Sequence, residues 1–145
     1  MRLLTVAAIL GLVGCAKPAP TQSNGPVPNL GGSWTGALFA TSRGAGALTL
    51  SLTQEAYFLT PSGGSELHLH GTWLTSFANS ADDDSGTVAG FGWSQTNGIM
   101  LTLTDSRGCA FALAGTRTGA VSMIGAFATK GCSAVDSGSF GVTKE

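Results

Sequence analysis

The chain has 145 residues and a net charge of -1, and only 10% of it is Asp, Glu, Lys or Arg. That is well below the quarter usual in globular domains, and Lys and Arg form no cluster, so a nucleic acid or an anionic surface has no basic patch to bind. The length allows one hydrophobic core but not two, and 22 glycines among many Ser and Thr favour strands and turns.

Met1 and Arg2 place positive charge at the start, and residues 3–13 then run apolar, interrupted by Thr5 and Gly11. An apolar run of about 7–15 residues is too short to cross a bilayer core of roughly 30 Å as a helix, and fits a removable export signal. It ends in Leu12-Val13-Gly14-Cys15. Charge, apolar run, small residue and cysteine in that order resemble the lipobox signal of bacterial lipoproteins; the alternative is an uncleaved core helix that contains Cys15. The resemblance implies that 1–14 is a signal peptide and that cleavage precedes Cys15. The Cys15 thiol then carries a diacylglycerol and its amine a further acyl chain such as palmitate. Each buried methylene contributes ~0.8 kcal/mol, so several chains hold a protein on a leaflet without a spanning helix. Ala16 stands where that family places Asp for inner-membrane retention, which implies the outer membrane of a Gram-negative cell, facing the periplasm or the cell surface.

Residues 15–29 are expected to form the lipidated start and a linker. Ala16-Lys17-Pro18-Ala19-Pro20-Thr21-Gln22-Ser23-Asn24-Gly25-Pro26-Val27-Pro28 holds most of the chain's prolines and cannot build a core. A proline-rich docking motif would need aromatic or basic specificity residues, and this run offers no such pattern.

Residues 30–145 are expected to form one all-β domain. Strict alternation in Leu48-Thr49-Leu50-Ser51-Leu52-Thr53 predicts a strand with one buried face, and 66–70, 99–104 and 109–114 repeat the pattern. Weaker strands are predicted over 33–40, 87–95, 120–129 and 138–144, with Gly-rich turns at 42–46, 96–98 and 118–119. About eight strands joined by short turns predict a small antiparallel up-and-down β-barrel, because closure removes exposed edges; a β-sandwich is the rival arrangement. The expected inward set contains Trp34, Leu38, Leu48, Leu50, Leu52, Leu67, Leu69 and Trp73. It continues with Phe91, Trp93, Ile99, Leu101, Leu103, Phe111, Leu113, Val121, Met123, Phe127, Phe140 and Val142. An outer face of Thr, Ser, Ala and His argues against a barrel that sits within lipid.

Gly32-Ser33-Trp34 opening the first strand is similar to the start of lipocalins and, more loosely, avidins, and Gly138-Ser139-Phe140-Gly141-Val142-Thr143-Lys144 looks like the last strand of such calycin-type barrels. The resemblance implies the architecture. It implies no particular ligand, since Thr35-Gly36-Ala37-Leu38 replaces the polar run with which avidins hold biotin, and no helix-like segment follows the last strand.

With Cys15 lipidated, Cys109 and Cys132 remain in an oxidising compartment and are expected to pair. A redox or metal role would require a close Cys-x-x-Cys or more ligands. His68 and His70 share one strand face with Glu66; they are weak metal candidates, since zinc needs three or four ligands and the chain has no other histidine. Asp82-Asp83-Asp84 reads as a solvated acidic loop, calcium being the alternative without EF-hand spacing. Trp34, Trp73 and Trp93 are the possible ligand-binding residues: they could line an apolar pocket or simply fill a barrel. No Gly-x-Ser-x-Gly elbow occurs, so no enzyme and no cofactor is expected. The expected function is that of an anchored envelope lipoprotein. Its barrel would act as an interaction module, using the outer face around Ala110, Ala112, Ala114, Ala126 and Ala128 on a partner protein, or else carry a small hydrophobic ligand.

Overall fold

The computed structural model describes residues 27–55, 57–61 and 63–145. The expected signal, Cys15 and most of the linker lie outside the described residues. Strands follow one another as β1 (Gly32–Ala40), β2 (Gly44–Gln54), β3 (Phe58–Leu59), β4 (Ser65–Phe77), β5 (Asp84–Trp93), β6 (Gly98–Asp105), β7 (Ala110–Arg117), β8 (Ser122–Lys130) and β9 (Ser137–Lys144), with one 3-10 turn at Ser80–Asp82. All pairings are antiparallel, and β9 returns to β1 from Trp34↔Lys144 to Ala40↔Gly138. That last pairing closes the sheet, so the arrangement is a barrel and not a sandwich. The two-residue β3 prolongs the line of β2 along β4, which meets Gln54 at Leu69 and Phe58 at Glu66. The barrel therefore has eight walls.

Alternation does the folding. In β2, Leu48, Leu50 and Leu52 are buried while the residues between them face outward. Trp34, Leu50 and Trp73 lie directly opposite one another on β1, β2 and β4 and fill one level of the interior. Several strands outrun their predicted lengths. Gly44, Ala45 and Gly46, expected in a turn, already pair with β1, and β4 continues through Trp73 to Phe77. The turn before β6 places Asn97 at φ 55°, a left-handed conformation that Asn tolerates.

The inward set requires three corrections. Phe91 and Trp93 lie on the outer face, Phe91 being 41% exposed, and Val121 is exposed in the turn before β8. In β5 the inward parity belongs to Gly86, Val88, Gly90 and Gly92. A Cβ at Gly90 would sit 2.1 Å from the Met100 carbonyl oxygen, so glycine there lets β6 bend closely across β5. Reading the aromatic residues as the buried ones shifts the strand by one residue and turns every side chain to the wrong face. Leu30, Ala40, Phe77 and Val88 complete the core.

The two ends of the barrel differ. At the entry end, where 27–31 leads into β1, Leu30 is buried, and its amide donates to Gln54 Oε1 at 2.7 Å. Trp34 Nε1 donates to the Leu30 carbonyl at 2.9 Å, which ties this plug to the core. The opposite end is the mouth, formed by the β1–β2 turn, the 3-10 turn, the β6–β7 turn and the β8–β9 loop.

Candidate functional site

The mouth is an open cavity of about 750 Å³ lined by charged and polar side chains. Arg43 closes its floor. The guanidinium lies 4.5 Å from the Phe77 ring centroid and 5.5 Å from that of Phe111, its Nε donates to Asp136 Oδ2 at 2.9 Å, and Nη1 donates to the Asp82 carbonyl at 3.3 Å. A planar cation suits this position because it can stack on rings and pair with a carboxylate together. Asp136 is only 6% exposed. Burial pushes its carboxyl up, but donors from Ser42, Arg43 and the Ser137 amide outweigh burial and hold it below the ordinary carboxylate range.

A second ionic group stands on the rim. Arg107 donates to Asp105 Oδ2 at 2.8 Å and to Asp84 Oδ2 at 3.0 Å, while Asp105 Oδ1 accepts the amides of Arg107 and Cys109. Burial raises the Asp105 carboxyl, and these donors again outweigh it and leave it lowered. The disulfide between Cys109 and Cys132, Cα atoms 4.8 Å apart, joins the β6–β7 turn to the β8–β9 loop that carries Asp136. The expected pair of cysteines is thus joined, between the neighbouring strand ends of β7 and β8 at the rim of the mouth.

Beneath Arg43 the barrel is filled. The space among Leu38, Leu48, Trp73, Leu103, Phe111, Leu113 and Phe127 amounts to about 10 Å³, the scale of a single water molecule and far short of an organic ligand. The three tryptophans do not converge on a common pocket. Trp34 is 0% exposed, Trp73 is buried with Nε1 toward the Thr104 carbonyl at 3.4 Å, and Trp93 is half-buried on the outer wall, its Nε1 donating to Glu66 Oε2 at 3.3 Å.

His68 and His70 face outward with Glu66, as their spacing predicts, but each has its own carboxylate: Glu66 at 3.0 Å for His68 and Glu55 at 3.3 Å for His70. The ring of His68 packs between Phe58 and Phe91, with centroid distances of 4.7 and 4.8 Å. The acidic loop is likewise committed. Asp83 Oδ1 accepts the Phe77 amide at 2.6 Å and Asp84 binds Arg107. Among the described residues no group of three or more His, Cys, Asp or Glu side chains is arranged to hold a metal ion.

The outer wall carries an arrangement that the alternation pattern does not reveal. His68, Phe91, Met100, Ala114 and Ala126 lie directly opposite one another on β4, β5, β6, β7 and β8. Ala112 and Ala128 form a second exposed pair beside Ala114 and Ala126, with half-buried Ala110 at the upper end of β7. Phe91, expected inside, is what extends the alanine face into a continuous apolar band. The signal for it is the run of glycines on the other parity of β5.

Compared with family models, with curated proteins and with solved structures, the chain matches none.

Proposed function

We propose that this chain is a lipid-anchored protein of the bacterial envelope whose barrel is a non-catalytic contact module. In this reading 1–14 is an export signal and Cys15 carries the anchor. The barrel then meets an envelope protein through the band from Phe91 and Met100 to Ala112, Ala114, Ala126 and Ala128. One observation carries the choice of module over carrier: the interior below Arg43 offers about 10 Å³, whereas the outer wall offers an apolar band four strands wide, from Phe91 and Met100 to the small side chains of Ala114 and Ala126. Small, flat and apolar surface costs little side-chain entropy to cover, which suits protein contact.

The test has two arms. Intact mass of the chain isolated from its host's envelope should show cleavage before Cys15 and acylation there, and an unmodified Cys15 overturns the anchor. A photo-crosslinking residue at Ala114 or Ala126 in living cells should yield one discrete adduct that is absent when it is placed at Ser133 in the mouth, and that Ala112→Lys abolishes. Adducts only from the mouth would transfer the role to the charged cavity; saturable uptake of a hydrophobic dye would restore the carrier reading.

A further inference from the structure

We infer that the entry end of the barrel is a lipid-contact surface, with the β3–β4 hairpin tip seated in the interface of the leaflet that holds the anchor. The inference rests on the anchored reading above. β1 begins its pairing at Gly32↔Leu52, so the hairpin beyond Leu52 overhangs the barrel on the side where the N-terminal segment enters. Its first arm presents Tyr57, Phe58 and Leu59 in succession beside the turn, all exposed, Leu59 to 73%. Phe91 joins them through His68, and Val121 and Ile124 lie exposed at the same end on β8 and its preceding turn.

Place and chemistry agree. The groove beside this hairpin is lined by Thr60, Gly64, Ser65, Trp93, Gln95 and Thr96 and not by Tyr57, Phe58 or Leu59, whereas a bilayer interface takes exposed apolar side chains at its headgroup level, Tyr and Trp with their polar atoms outward. The described chain begins at Val27, and 27–31 leads into β1 at this end. Exposed apolar side chains and the entry of the chain at the same end give one orientation: hairpin toward lipid, mouth away from it.

The experiment supplies the anchor chemically, so that its outcome does not depend on whether a cell acylates Cys15. A chain beginning at Cys15 contains every described residue, and with Cys109 and Cys132 paired its one free thiol can be coupled to a maleimide phospholipid. The vesicles contain phosphatidylethanolamine, phosphatidylglycerol and lipids brominated along the acyl chains. Leu59→Trp should shift emission to the blue and lose most of its added fluorescence to the brominated lipid, and Phe58→Trp should do the same. Val135→Trp, 88% exposed at the mouth end, should keep its emission. Equal behaviour of Leu59→Trp and Val135→Trp overturns the lipid contact. Circular dichroism checks that each variant retains its strands. An unmodified Cys15 in the host, with Leu59→Trp still quenched, would remove the anchor and leave the surface standing.

Discussion

Arg43 and Asp136 meet at 2.9 Å over the core, 93 residues apart in sequence, and neither can be removed without leaving the other poorly served. Arg43→Ala would bury a carboxylate without its cation and strip the stacked cover from Phe77 and Phe111. A loss of about 2–3 kcal/mol is expected, read as a lower urea midpoint with an unchanged slope. The same variant joins the small space under Arg43 to the mouth, so an apolar dye that ignores the parent chain should bind it.

Acid should act through the same carboxylates. Asp105 and Asp136 titrate below the ordinary 3.8 in the folded chain. Unfolding returns them to that value, so their contribution is complete above pH 3.8 and is lost as pH falls through the folded values. Urea midpoints measured down through this range should drop, and Asp136→Asn should lower the neutral plateau while flattening the drop.

Replacing Cys109 and Cys132 by Ser should cost roughly 3 kcal/mol in the chain-entropy account, and dithiothreitol should reproduce the loss in the parent chain but not in the variant. The freed β8–β9 loop carries Asp136, so amide exchange should quicken first at 131–136.

Gly125 lies opposite Phe140, and a Cβ there would come within 2.3 Å of the Ala114 carbonyl oxygen and 2.9 Å of the Phe140 ring. Gly125→Ala should therefore destabilise by about 1–3 kcal/mol through overpacking, measured by thermal unfolding. Ala126→Lys next to it points outward and should change stability by under about 0.5 kcal/mol while abolishing the outer-wall crosslink.

Much of this fold was legible because leucines alternate with Thr and Ser in β2 and β6, where pattern and burial agree. Cys109 and Cys132 were legible as a pair since each flanks an end of the β7–β8 hairpin. β5 was not, because its inward positions are mostly glycine and its bulky residues face solvent, so hydrophobicity named the wrong parity. The closing role of Arg43 was equally hidden. Its partners Phe77, Phe111 and Asp136 lie far along the chain, and only the closure of β9 on β1 brings Asp136 to it.

The pairing of β1 on both sides has a mechanical consequence. A load entering through the residues before Leu30 pulls along β1, which is held by β2 from Gly32 to Ala40 and by β9 from Trp34 to Ala40. Those two ladders lie parallel to the force, so their hydrogen bonds must shear together and cannot unzip in succession. A domain hung by this strand resists extraction with the strength of two seams.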